Sequence, residues 1–281
     1  ASGRMGDPME ADRVMSWPNE NQAISLAQKI DQENRERQEL MKQTTSHAHN
    51  LWLKEDGKSA LIFVYHQSYE QGIVGLVASH LKEEFYRPAV VLAPRKNGWV
   101  ASARSIDGFS IIEAISELGD IIGDYGGHPK AAGFSVVPEK LEEVRRRLIK
   151  RAEENLDKSQ LVRRLEIDAE VELNDLNLAL YQQIEKFAPF GMDNPQPVFA
   201  NRKLKVSDIK TVGANHQHLK LRLIFPASRL AFDAIGFGMG KLSSQLSPEK
   251  SVDVAYSLLL NQWNNRKNLQ LRLRDIKLNE E

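Results

Sequence analysis

An α/β layer followed by a small all-β barrel is the architecture this sequence predicts, and three observations predict it. Between residues 60 and 104 apolar runs of strand length alternate with a helical segment. From residue 166 onward polar and apolar residues alternate instead, and a polar crossing, Asp157-Lys158-Ser159-Gln160, separates the two patterns. At 281 residues the chain can bury two cores of ordinary size.

The elements follow in order. Residues 8 to 50 read as a long helix: Asn19, Glu20 and Asn21 after Pro18 supply an N-cap region, and Ile24, Leu26, Ala27, Ile30, Leu40 and Met41 form an imperfect apolar stripe amid charges. Ala60 to His66 is a strand-length apolar run. Gly72-Ile73-Val74-Gly75 then opens a helix through Leu81, Pro88 to Ala93 is a second strand, and Trp99 to Arg104 a third. Strand, helix, strand is the rhythm of a βαβ layer. A helix from Pro138 to about Leu156 closes this domain with Val144, Leu148 and Ile149 inward, and its run Arg145-Arg146-Arg147 with Lys150-Arg151 reads either as a solvated face or as a nucleic-acid track.

The remainder is mostly β. Glu166 to Leu173, His218 to Ile224 and Leu269 to Ile276 alternate polar with apolar, and Asn174 is expected to cap a helix near Asp175 to Phe187. Five or six short strands with one inserted helix suit a small Greek-key barrel such as the OB-fold. Such barrels hold single strands through basic residues along the backbone and aromatics that stack on bases. Trp263, on an expected hairpin turn with Arg266 and Lys267, is the stacking candidate or a core residue at the barrel end; Phe225, Phe232 and Phe237 are expected in the core.

The most informative stretch is Gly126-Gly127-His128-Pro129-Lys130-Ala131-Ala132-Gly133. Adjacent glycines let backbone N–H groups turn toward an anion, with His128 facing the same ligand. The alternative is a plain Gly-Gly turn with a surface histidine. Upstream, Ser102, Arg104 and Ser105 offer two hydroxyls and a guanidinium suited to bidentate contact with phosphate oxygens, the alternative for Arg104 being a surface ion pair.

Taken in order, Gly72 to Gly75, Arg87-Pro88, Ala101 to Ser105 and Gly126 to Gly133 resemble the DHH-associated domain of the RecJ exonucleases. Ala1-Ser2-Gly3-Arg4-Met5 resembles the tail of that family's Asn-Ala-x-Gly-Arg motif, and Asn34 to Gln38 its connecting-helix signature. Pro189 to Pro195, Asn261 to Trp263 and Asp275-Ile276 resemble its C-terminal OB-fold. The resemblance implies three regions: a connecting helix over 1–50, a DHH-associated α/β domain over 51–157 and an OB-fold over 158–281. It implies a phosphate contact for Arg4, binding of the terminal or adjacent phosphate by Ser102, Arg104 and Ser105, and positioning of the scissile phosphate by Gly126, Gly127 and His128, with His128 in the catalytic role. The implied activity is 5′ to 3′ hydrolysis of single-stranded DNA to nucleoside monophosphates in repair and recombination, in the cytoplasm, by a monomer that contacts the single-stranded-DNA-binding protein.

In that family manganese or magnesium is bound by an N-terminal DHH lobe. No Asp-His-His occurs here, so the expectation is a chain without that lobe or metal site, binding DNA but inactive alone. Two other readings stay open: a related phosphodiesterase of short RNA or cyclic dinucleotides, and a non-catalytic scaffold.

Composition bounds these readings. There is no cysteine, hence no disulfide or cysteine-ligated zinc. No apolar run approaches the roughly 20 residues of a membrane helix, and the N-terminus shows no signal-peptide core. His47, His49, His66, His80, His216 and His218 show no metal-ligand spacing, and His47/His49 and His216/His218 read as solvated pairs. Basic and acidic residues balance at 38 each, yet from Ala200 to Glu281 there are 14 Lys and Arg against 7 Asp and Glu. Charge is thus segregated toward the barrel, as a module gripping phosphate would show, the alternative being chance asymmetry.

Overall fold

The computed structural model describes residues 3, 6–55, 57–172, 175–225, 230–263 and 266–279, without the side chains of 262, 263 and 266. It divides into two compact units between Arg163 and Arg164, a few residues beyond the expected crossing.

In the first unit the helical region is two helices, α1 (Met9–Ser16) and α2 (Glu20–Glu55). Pro18 disfavours helical backbone at the residue before it, and Trp17 is accordingly extended. Asn19 restarts the helix, its Oδ1 accepting from the Gln22 N–H at 3.2 Å. Only Thr44, Thr45, Ala48 and Trp52 of α2 are buried, so its last turns do the packing.

The α/β domain is a mixed sheet of β1 (Ile62–Tyr65), β2 (Ala89–Arg95), β3 (Gly98–Arg104), β4 (Tyr125–His128) and β5 (Ala131–Val136), in the order β1-β2-β3-β5-β4. β1 and β2 are parallel, joined by α3 (Gln71–Phe85), and every other pairing is antiparallel. The pleat sorts the core. Val90, Leu92, Ala101, Ala103, Ala132 and Phe134 pack one face with α4 (Ile111–Ser116) and α5 (Leu141–Asn155). Ala89, Val91 and Ala93 pack the other against Val74, Val77, Ala78 and Leu81 of α3. Along α5, Leu141, Val144, Leu148 and Ala152 are buried at helical spacing. Its basic run is largely paired, Arg145 with Glu55, Arg147 with Glu143 and Asp120, Lys150 with Glu154 and Arg151 with Glu117, which favours the solvated face over a nucleic-acid track.

The second unit is a closed barrel. β7 (Phe199–Val212), β8 (His218–Ile224), β9 (Ala231–Gly236), β11 (Arg266–Leu278) and β10 (Ser251–Trp263) follow one another around it, and β10 pairs back onto β7. The β9–β11 pair is parallel, and the ring order is that of an OB-fold. Leu219, Leu221 and Leu223 alternate inward with Tyr256, Leu258 and Leu271. Among the described residues the first expected strand shrinks to β6 (Ala169–Glu170), whose two residues pair in the ladder with β7. The following helix is α6 (Leu178–Glu185), capped by Asn177, whose Oδ1 accepts from the Leu180 N–H at 3.0 Å. Asn174, expected as the cap, lies outside the described residues, and Asn177 performs that role.

Candidate nucleic-acid interface

On the sheet, register rather than a turn assembles the expected residues. Arg104 pairs with Ala131 and Ala131 with His128; Ser102 pairs with Gly133 and Gly133 with Gly126. Cross-strand partners share a face, so Arg104 and His128 flank Ala131 in one row, with Ser102 and Gly126 flanking Gly133 in the next. Arg104 and His128 stand two strand spacings, about 10 Å, apart. The side chains between them are a methyl group and a hydrogen, so the floor of this shelf is bare backbone and Cβ. Ser102, Arg104, Ala131 and Gly133 are half-buried, whereas Gly126, Gly127 and His128 are exposed.

Local packing fixes Arg104. Its Nη1 donates to Ser102 Oγ at 3.2 Å and to the Ala103 carbonyl at 2.8 Å. Gly75 of α3 lies against the same groups: a Cβ there would stand 2.9 Å from Ser102 Oγ and 3.2 Å from Arg104 Nη2. The glycine lets the helix approach the guanidinium.

Residues 126 to 128 form the edge strand of a hairpin whose loop is Pro129-Lys130. Of the two glycines only Gly127 needs an unusual backbone, with φ +149°. A Cβ on it would overlap Ala131 O and Ala132 Cα, whereas Gly126 faces open space. Ser135 exchanges backbone bonds with Gly123 and Asp124. Alternation from that point leaves the Gly127 N–H on the free edge. The hairpin loop is held by Ser105 N–H to Lys130 O at 2.9 Å and Ile111 N–H to Pro129 O at 3.0 Å.

Ser105 sits differently from its two neighbours in the expected set. It is buried, and its Oγ donates to Phe109 O at 2.7 Å, so it braces the loop after β3. Arg4 lies outside the described residues.

A second surface lies on the barrel. The outward residues of β8, β9 and β11 bring Lys220, Ile235 and Arg272 into one row. Beside it stands Phe237, 52% exposed although the sequence suggested core, with the Arg272 guanidinium 5.5 Å from its ring centroid. His218 meets Phe237 edge-on at 5.2 Å, its Nδ1 accepting from the Gly238 N–H at 3.1 Å. An exposed aromatic between a cation and an imidazole can stack on a base while Lys220 and Arg272 face phosphate. Phe225 and Phe232 do pack together in the barrel, at 5.7 Å. The side chains of Trp263 and Arg266 lie outside the described residues, while Lys267 is exposed on β11. Phe237 was missed because it lies one residue past the end of β9, where alternation no longer assigns an inside and an outside.

His47 is less isolated than its spacing suggested. Its Nδ1 is 2.8 Å from Tyr69 Oη, and its ring centroid is 4.6 Å from that of His66. Desolvation, then the neighbouring His66, lowers its pKa, while burial pushes the Tyr69 phenol up to about 12. Among the described residues no group of three or more His, Asp or Glu is placed to hold a metal ion. Among them, too, no helix is long and apolar enough to cross a membrane.

A mixed sheet carrying a Ser/Arg shelf and a Gly-Gly-His edge, followed by a closed five-stranded barrel, places the chain among proteins that join a DHH-associated domain to an OB-fold. Residues 57–154 match the DHHA1 domain family and residues 167–275 the RecJ OB domain family. The chain belongs to the RecJ family and corresponds to its C-terminal part. The single-stranded-DNA-specific exonuclease RecJ of Bacillus subtilis is 33% identical over 100% of the chain, which covers 36% of that protein. Its Escherichia coli counterpart is 27% identical over 98%, with 49% of that protein covered. The chain thus spans less than half the length of either relative. RecJ from Thermus thermophilus, solved in complex with Mn2+, shares the fold at TM-score 0.77 and 23% identity, over 100% of this chain and 40% of that one.

Proposed function

We propose that this chain is the DNA-holding part of a 5′ to 3′ single-stranded-DNA exonuclease that releases nucleoside monophosphates in repair and recombination. The observation that carries the reading is the row register setting Arg104 opposite His128 and Ser102 opposite Gly126 across a floor of Ala131 and Gly133. Ser102 and Arg104 hold the terminal or adjacent phosphate, the guanidinium through charge-assisted hydrogen bonds. Gly127 offers a backbone donor at the free edge, and Gly126 leaves room for the scissile phosphate. His128, exposed across the shelf, stabilises charge developing on the phosphoryl oxygens. Ser105 supports this arrangement from behind.

The barrel has a grip of its own on single-stranded DNA, with Phe237 stacking a base beside Arg272 and Lys220 and with Lys267 on the β10–β11 hairpin. Manganese or magnesium, which would activate water and stabilise the leaving oxygen, is held by a DHH lobe outside these residues. The chain alone therefore binds single-stranded DNA without cutting it. The barrel favours a long single strand over a cyclic dinucleotide or very short RNA, which needs no second grip.

The test pairs two assays on the 281-residue chain. Anisotropy with 5′-phosphorylated single-stranded DNA should show salt-dependent binding that Arg104→Ala weakens, and incubation of the DNA with manganese should leave it intact. Metal-dependent cleavage by this chain would overturn the assignment of catalysis to another lobe. Binding indifferent to Arg104 would overturn the shelf as the phosphate site.

A further inference from the structure

The shelf does not end at Ser102. Along β3 the same face continues from Arg104 through Ser102 and Val100 to Gly98, and along β5 from Ala131 through Gly133 to Ser135. At its far end the β2–β3 hairpin turns at Lys96-Asn97. Arg95 pairs with Gly98 and shares a face with Ala89, opposite Arg104, and with Val91, opposite Ser102. Arg104 and Arg95 thus mark the two ends of one face, three rungs or about 20 Å apart. A hydrogen bond from Gln71 Nε2 to Pro94 O, 2.9 Å, fixes the hairpin to the first turn of α3.

A cavity of about 420 Å³ opens there, lined among others by Arg95, Lys96, Asn97, Trp99, Ser135 and Val137. Among the described residues no carboxylate lines it. Arg95 and Lys96 are exposed and have no ion pair among the described residues, unlike most of the cations on α5. Val137 is 47% exposed beside them. Unpaired cations, an amide and a hydroxyl next to an apolar wall suit a nucleotide unit, with phosphate on the cations and sugar or base on the wall.

We infer that the β2–β3 hairpin end is a second subsite for single-stranded nucleic acid, where Arg95 and Lys96 hold an internucleotide phosphate of the strand whose other phosphate lies at Ser102 and Arg104. This rests on the shelf reading above and adds a direction: the strand runs along β5, beside the part of the face that α3 covers. The subsite makes binding depend on length, because only an oligonucleotide that spans the shelf can reach both ends.

The experiment is fluorescence anisotropy of the chain with 5′-phosphorylated oligothymidylates from dinucleotide to octanucleotide across a salt series. Wild type, Arg95→Ala/Lys96→Ala and Arg104→Ala are compared, each also in a Phe237→Ala/Arg272→Ala background that blunts the barrel. The hairpin double variant should bind the dinucleotide as wild type does. It should lose roughly tenfold for oligonucleotides long enough to span the shelf, with a salt slope smaller by about 0.7 per phosphate contact removed. Equal losses at every length or no loss at any length would overturn the inference. If Arg104→Ala weakens every length while the hairpin variant changes none, only the hairpin subsite falls. If neither matters, the shelf reading falls with it.

Discussion

Gly75→Ala separates the shelf's geometry from its stability. The position is inside α3, where alanine favours the helix over glycine by about 1 kcal/mol. Against that, the new Cβ would stand 2.9 Å from Ser102 Oγ and 3.2 Å from Arg104 Nη2. Both contacts are with side-chain ends that can rotate away, at a cost on the order of 0.5–1.5 kcal/mol for an off-rotamer side chain. Gain and cost nearly cancel, so thermal or urea unfolding should shift by less than about 1 kcal/mol. Binding should respond differently. The guanidinium, pushed out of its bonds to Ser102 Oγ and Ala103 O, loses its fixed aim at a phosphate. A charge-assisted hydrogen bond contributes about 1.5–3 kcal/mol, so 5′-phosphorylated single-stranded DNA should bind roughly 10- to 100-fold more weakly. The assay is anisotropy at fixed salt, read beside the unfolding curve. Wild-type affinity in a stably folded Gly75→Ala chain would refute the claim that Gly75 sets Arg104 for phosphate. A stability loss matching the binding loss would refute the cancellation.

Three further outcomes are expected. Gly127→Ala should destabilise the β4–β5 hairpin by about 1–3 kcal/mol, since the residue is held at φ +149° against backbone atoms, whereas Gly126→Ala should change unfolding by less than about 1 kcal/mol; similar values for the two would show the hairpin backbone is not as described. Phe237→Ala should leave the melting temperature nearly unchanged and weaken single-stranded DNA by about 1–3 kcal/mol, the stacking contribution of one base; a lowered melting temperature with unaltered affinity would make Phe237 a packing residue. His47 has a folded-state pKa below its ordinary 6.5, so the unfolded chain takes up its proton first as pH falls. Its contribution to stability is therefore complete above pH 6.5 and declines on acidification below it, and His47→Gln should flatten the wild-type unfolding profile in that window.

The sequence carried both architectures because each has its own period. Alternation marked β8 at its observed ends, His218–Ile224, and the βαβ run found β1, α3 and β2. Residues whose placement depends on pairing were not legible. Glu166 to Leu173 alternates as well as β8 does, yet among the described residues only Ala169 and Glu170 enter the strand ladder with β7. Gly126 and Gly127 read alike in sequence, and only the structure shows that Gly127 is required by its backbone against Ala131 and Ala132 while Gly126 faces open space. Ser102 and Ser105 flank Arg104 in sequence, but the pleat sets Ser102 beside the guanidinium and turns Ser105 into the loop. Phe237 sits one residue past the end of β9, where the alternation that assigns inside and outside has stopped.

The closure of the barrel has a kinetic consequence. β11 lies between β9 and β10, and β10 seals the ring against β7, so Leu271 must find Ala234 and Ser251 must find Lys205 across long stretches of chain. Each contact costs loop-closure entropy before much apolar surface is covered. During synthesis β7, β8 and β9 emerge as an open three-stranded meander, with Leu219, Leu221 and Leu223 facing water until residues 266–278 arrive. That waiting interval is when this unit is most exposed to misassembly. Substitutions that strengthen the β7–β8–β9 hairpins should raise its yield on expression more than those that strengthen the final seam.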